Sequence, residues 1–376
     1  MRYGTADEAG MLKERLDIAK SLTRKWVDQE ILNSAVILAA RRGVIVLHEA
    51  FGKINYKPDS PPAELDTLCS MACIVKPVIA TALMCLVEDG LVGLANPIVD
   101  YIPEFIGEGK DKVLVRQLLT NTSGIIWTNK FGDILSTKIE KGEIPTCEPT
   151  QDPTTNLILL LTYGIPLSYP PGKEMRYSDV NFYLAGEIVR RVSGKSFDSF
   201  IRERIFDKLG MKDSYYYRMP EHVINRVARR SPKLRFQKEN EDDYIPLWTT
   251  TTTMDMAIFT QMFLNKGLYG DKRITSPPSV YEMTHNQIPG VPAKYGDEFF
   301  PEANWCYGWA MARQWFDEGS MHSPKAFGHG GYGTVYLWGD PEYDLVGAFF
   351  TTSNKTEKRY MEHGSFVNVV MSAIDD

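Results

Sequence analysis

The chain has 376 residues, 43% hydrophobic and 24% charged, with a formal net charge of -6, which describes a globular protein with a large core and two or three structural units. The acidic balance and the absence of a long basic run exclude nucleic acid as a partner, and the longest apolar runs, at 157–162 and 345–350, are far short of a membrane span. Five cysteines without a regular framework and an opening stretch without a signal-peptide pattern point to a reducing, cytoplasmic setting; with no Cys-x-x-Cys or His-x-x-x-His pair, neither zinc nor another cofactor is expected.

Leu12, Leu16, Ala19, Leu22 and Trp26 recur at helical spacing, so the chain opens with an amphipathic helix within 6–32. The period then changes: 35–40 and 44–52, joined by Arg41-Arg42-Gly43, read as a β-hairpin. A loop at 59–62 is followed by a delivering segment, 67–72, and by a buried helix that begins near Cys73 and closes at Gly90. After a proline-punctuated stretch, 94–105, a short helix within 115–125 is stopped by Gly124. Residues 127–155 read as a polar, irregular insertion or lid-like loop.

A helix begins at 157, the chain turns at Pro170-Pro171-Gly172, and helices are predicted up to Gly194 and over 197–209. Surface strands and loops are expected over 215–245. The threonine run 249–253 opens a further helix, with Thr253 or Asp255 as its cap. The last third supplies strands at 305–314, 326–329, 333–339 and 344–352, with 340–343 as a turn, and closes with a helix over 357–374. The pattern implies an α+β fold, an α/β sandwich: an antiparallel sheet built from both termini (1–75 and 246–376), flanked by helices, with a helical domain (76–245) and the active site at their junction.

Cys73 lies in the first turn of the helix that Gly90 closes, and Lys76 follows three residues on, on the same face. A small nucleophile at a helix start beside an ammonium is an arrangement that activates thiols. Taken alone, Cys73 reads equally as a small buried hydrophobe, Tyr177 as a core tyrosine, His329 as a strand-end histidine and Asp179 as the cap of the helix starting at Val180.

Together, Cys73-x-x-Lys76, Tyr177-Ser178-Asp179 and His329-Gly330-Gly331 resemble, in order and separation, the three active-site motifs of the class C β-lactamase and family VIII carboxylesterase group of β-lactamase-related serine hydrolases. Leu118-Leu119-Thr120-Asn121-Thr122-Ser123-Gly124 resembles a further signature of that family, with Asn121 where it has histidine. The resemblance runs over most of the chain and implies a β-lactamase/penicillin-binding-protein-like fold. Two departures bear on chemistry: Cys73 stands at the serine nucleophile of the Ser-x-x-Lys motif, and His329 stands at a lysine.

The resemblance implies that Cys73 forms an acyl-enzyme and that Lys76 and Tyr177 share the proton transfers. Asp179 would hold Lys76 protonated, which favours Tyr177 as base. The backbone N–H groups of Cys73 and Tyr332 are the implied oxyanion hole, and Asp179, His329, Gly330, Gly331 and Tyr332 the substrate-binding residues. Asn121 is assigned a structural place beneath the site. The expected partner is a small-molecule ester, amide or thioester, with neither nucleic acid nor membrane involved. Hydrolysis is the first reading. Acyl transfer through the same intermediate, a non-hydrolytic small-molecule enzyme, a binding pseudoenzyme and an engineered serine-to-cysteine variant of an esterase stay open.

Overall fold

The computed structural model describes residues 1–57, 59–216, 219–229, 249–295, 298–311, 320–331, 335–353 and 361–376. Its contacts divide the chain into two units: Met1–Val75 with Phe206–Arg273 and Ala310–Asp376, and Lys76–Ile205 with Ile274–Trp309. The 206–229 stretch therefore groups with the sheet and 274–309 with the helices, the reverse of the boundaries read from sequence. Strand pairing is the physical reason: Tyr215–Tyr216 is bonded to Thr249–Thr251, and Ala293–Tyr295 to Met175–Arg176.

The first unit is built on a seven-stranded sheet in the order Arg2–Tyr3, Val44–Gly52, Leu32–Arg41, Leu345–Ser353, Val335–Asp340, Phe327–Gly331, Ala310–Met311. All pairs are antiparallel except the first. The hairpin forms where expected, because Arg42 and Gly43 both take positive φ (54° and 73°), the backbone twist that matches two right-twisted strands. Ala35, Ile37 and Ala39 face a core that includes Leu16 and Ala19 of the helix Lys13–Asp28 and Phe366, Val367 and Val370 of the helix Met361–Met371. The alternate residues Val36, Leu38 and Ala40 are equally buried, so the central strand is covered on both faces and reads as a continuous apolar run.

The threonine run is split between two jobs. Thr249–Thr251 is the middle strand of a small sheet with Cys69–Ser70 and Tyr215–Tyr216, and Thr252, not Thr253 or Asp255, caps the helix Thr253–Leu264 by accepting from the Asp255 N–H at 3.2 Å. The Asp255 carboxylate instead accepts from the Asp213 N–H and the Ser214 hydroxyl, both at 2.9 Å.

The second unit contains the helices Val115–Leu119, Asn129–Glu140, Pro153–Tyr163, Val180–Ser193 and Pro277–Thr284 and most of Val75–Glu88. Residues 127–155, expected to be irregular, hold a regular helix. Thr128 caps it by accepting from the Phe131 N–H at 3.2 Å, and Phe131 and Leu135 bury one face. The next helix starts at Pro153 rather than 157, with Asp152 as its cap and proline in its first turn. The 197–209 helix breaks after Ile201 into a π turn, Arg202–Phe206.

The expected strand at 305–314 is reduced to Ala310–Met311, with 312–314 outside the described residues. At Gly308, with φ 81°, the chain turns so close over the helix Val75–Glu88 that a Cβ would lie 2.6 Å from the Ala80 Cβ. Among the described residues no helix is long and apolar enough to cross a membrane, and no group of His, Cys, Asp and Glu is arranged to hold a metal ion.

Candidate active site

In the sheet unit, Cys73 is presented by a short, strained segment. Cys69 and Ser70 pair with Thr251 and Thr250, and the Met71 N–H donates to the Thr249 carbonyl at 3.0 Å. Ala72 then takes φ 46°, a left-handed conformation that costs an L-residue about 1–2 kcal/mol and that bends the chain off the strand. The single 3-10 turn Ala72–Ile74 follows, holding Cys73 half-buried, and it runs directly into the helix Val75–Glu88. All five cysteines are free thiols.

The strand Phe327–Gly331 lies against that turn. A Cβ on Gly331 would sit 3.1 Å from the Met71 carbonyl oxygen and 3.3 Å from the Ala72 Cβ, so any larger residue would push strand and turn a few tenths of an ångström apart. His329 is buried at mid-strand, opposite Leu337, and its Nδ1 donates to the Gly330 carbonyl at 2.7 Å. Tyr332 lies outside the described residues.

In the helical unit, three predicted residues come together. The Lys76 ammonium is buried, with its side chain 4% exposed, and lies 2.5 Å from Asp179 Oδ1. It stands 4.6 Å above the centre of the Tyr177 ring and 5.5 Å from that of Phe182. The carboxylate and the two ring faces thus surround the amine on three sides. Asp179 occupies the cap position of the helix Val180–Ser193 but makes no capping bond; its carboxylate goes to Lys76 instead. Tyr177 is half-buried. Trp305 and Tyr295 meet it edge-on at 5.8 and 6.3 Å, and Tyr295 is 38% exposed.

The turn that carries Tyr177 and Asp179 is stitched to the 118–127 segment. Asn121 Oδ1 accepts from the Ser178 N–H and from Asn181 Nδ2, both at 3.1 Å, and the Asn121 carbonyl accepts from the Arg176 N–H at 3.0 Å. Ser123 Oγ donates to Asn181 Oδ1 at 2.5 Å, and Ser178 Oγ accepts from the Trp127 N–H at 3.0 Å. Sequence reasoning gave Asn121 only a structural place beneath the site. Its signal was there: four adjacent polar residues, Thr120 to Ser123, in a segment flanked by apolar ones.

Comparison with known proteins agrees with this architecture. A penicillin-binding protein homologue from Caulobacter crescentus superimposes with a TM-score of 0.75 at 20% identity, covering 97% of this chain and 99% of its own. EstCE1, described as a hydrolase with promiscuous acyltransferase activity, gives 0.74 at 16% identity over 97% of this chain and 99% of its own. Esterase EstB of Burkholderia gladioli is 28% identical over 210 residues, 55% of this chain and 52% of EstB. The two structures share the β-lactamase and penicillin-binding-protein type of fold, and the Beta-lactamase family model matches residues 19–369. The chain belongs to the Beta-lactamase family.

Proposed function

We propose that the protein is a hydrolase of small esters or amides that works through an acyl-enzyme on Cys73. The observation that carries this reading is the Lys76 ammonium held between the Asp179 carboxylate and the Tyr177 ring, on the helix that begins just after Cys73. An amine held charged is a poor base, so Tyr177, as phenolate beside that ammonium, is the group that takes the thiol proton. The Cys73 sulfur then bonds to the carbonyl carbon, and the carbonyl π electrons move to oxygen. Collapse of that intermediate breaks the bond to the alcohol or amine, which leaves with the proton from Tyr177.

Water next gives a proton to Tyr177 and attacks the thioester. Collapse releases the acid and the Cys73 thiolate, which recovers the proton. An alcohol in place of water completes acyl transfer by the same steps. The acyltransferase activity named for EstCE1 supports keeping that second reading. The Tyr295 and Trp305 rings beside Tyr177 favour apolar acyl groups.

The test is intact-protein mass after brief exposure to p-nitrophenyl esters of short acids, for this chain and for Cys73→Ala. One acyl adduct on the unmodified chain and none on the variant is the expected result. A folded protein that takes no adduct overturns covalent catalysis, and adding an alcohol in the same assay separates transfer from hydrolysis.

A further inference from the structure

Asn121 is fully buried, takes φ 55°, and offers both its side-chain oxygen and its carbonyl to the turn that carries Tyr177 and Asp179. Its side-chain oxygen and its carbonyl receive Arg176, Ser178 and Asn181, residues that bracket Tyr177 and Asp179. Its Nδ2 is buried and donates to no protein group among the described residues, so the carboxamide acts there as an acceptor only. Asn181 is held with its own nitrogen toward Asn121 because Ser123 donates to its oxygen, which sets the direction of the whole chain of bonds.

We propose that Asn121 is a positioning residue for the proton-transfer groups: its acceptor oxygen sets where Tyr177 and Asp179 stand relative to Lys76. This rests on the acyl-enzyme reading above. Two demands meet at this position, a left-handed backbone and a side-chain acceptor reaching the Ser178 N–H. Asn, Asp and His are the residues other than glycine that most readily take that backbone, and each carries an acceptor. The exchange of the family's histidine for Asn121 is therefore a substitution within the set of residues the geometry allows.

Three variants separate the two demands. Asn121→Gly keeps the backbone and deletes the acceptor, Asn121→Asp keeps both, and Ser123→Ala loosens Asn181 without touching position 121. Each is checked for folding by thermal denaturation, then read by the acylation rate with a p-nitrophenyl ester and by the NMR signal of the labelled Tyr177 ring, assigned through Tyr177→Phe. Asn121→Gly is expected to lose about 10- to 100-fold in kcat with KM moved far less, with a displaced Tyr177 signal. Asn121→Asp recovers most of both, and Ser123→Ala shifts both in the Gly direction by less.

Wild-type rates and an unmoved Tyr177 signal in Asn121→Gly overturn the proposal, as does an Asp variant as impaired as the Gly variant. Should Asn121→Gly not fold, Ser123→Ala decides by the same two readouts. If the unmodified chain takes no adduct, the acyl-enzyme reading fails alone. The Tyr177 signal then still decides, since displacement in Gly and recovery in Asp support the positioning role and constancy removes it.

Discussion

Two lysines are buried in the helical unit, Lys76 at 3% exposure and Lys110 at 2%, and they are solvated by different means. Lys110 donates to the Tyr163 backbone carbonyl at 2.6 Å and lies 4.7 Å from the centre of the Phe105 ring. Lys76 has a ring beneath it as well, but its polar partner is a carboxylate whose side chain is 51% exposed. A backbone carbonyl is a fixed dipole that neither gains nor loses a proton, and burial accordingly pulls Lys110 below its usual value. A carboxylate is a countercharge, and this one opens toward solvent. The lysine proposed for catalysis differs from Lys110 in its partner, not in its burial.

The sharpest way to break this contrast is to remove each charge with a side chain of similar length. Lys76→Met is expected to slow acylation by about 10²–10⁴-fold, whereas Lys110→Met leaves the rate within a factor of about two of wild type, as for a residue making no substrate contact. Equal losses in a stopped-flow acylation assay would erase the distinction. Removing the phenol but keeping the ring beneath Lys76, by Tyr177→Phe, is expected to cost a similar about 10²–10⁴-fold.

Asp179→Asn comes next, with a loss of about 10–100-fold and a change in pH profile that identifies the base. Among the described residues of its unit, Asp179, Tyr177 and the apolar Phe182 face Lys76. With the carboxylate gone, neutral lysine is favoured. If Tyr177 is the base and needs the ammonium, the alkaline limb of kcat moves to lower pH; a gain of activity near neutrality would instead make Lys76 the base.

Stability effects are smaller. Lys110→Met leaves the Tyr163 carbonyl without its donor, so the loss at neutral pH is no more than about 1–3 kcal/mol, read from urea midpoints. The pH dependence has a definite sign. Burial lowers the folded-state pKa of Lys110 from 10.5, so the unfolded chain binds more protons between the two values. Wild-type stability relative to Lys110→Met therefore rises with pH through that interval, and the penalty is present in full below it. A constant difference would show that the ammonium is not desolvated. Phe105→Leu, which takes the ring away from Lys110 and also shrinks a fully buried core side chain, is expected to cost about 1–3 kcal/mol and no activity.

The hairpin of Leu32–Arg41 and Val44–Gly52, the helix closed by Gly90 and the helix Val180–Ser193 ending at Gly194 were legible because their signals are local: apolar period, a turn dipeptide, a glycine stop. The helix Asn129–Glu140 was hidden by its polar composition, although Thr128, Phe131 and Leu135 carry a cap and a buried stripe. The cap at Thr252 was missed by one residue, because five threonines in a row offer no local reason to choose where strand becomes helix; pairing with Cys69 and Ser70 makes that choice.

What the sequence determined by itself was the kind of chemistry on offer: a cysteine and a lysine three residues apart, a tyrosine and an aspartate two apart, and the periodic segments that carry them. Spacing along one helix or one turn is set by backbone geometry, which is the same in every protein. Tertiary structure decided the partners. The Lys76–Asp179 pair joins residues 103 positions apart, and Asn121 reaches Ser178 across 57. Such bonds form only when the packing of separate helices brings their ends together, and no local pattern encodes the distance between two elements that meet only after the chain has folded.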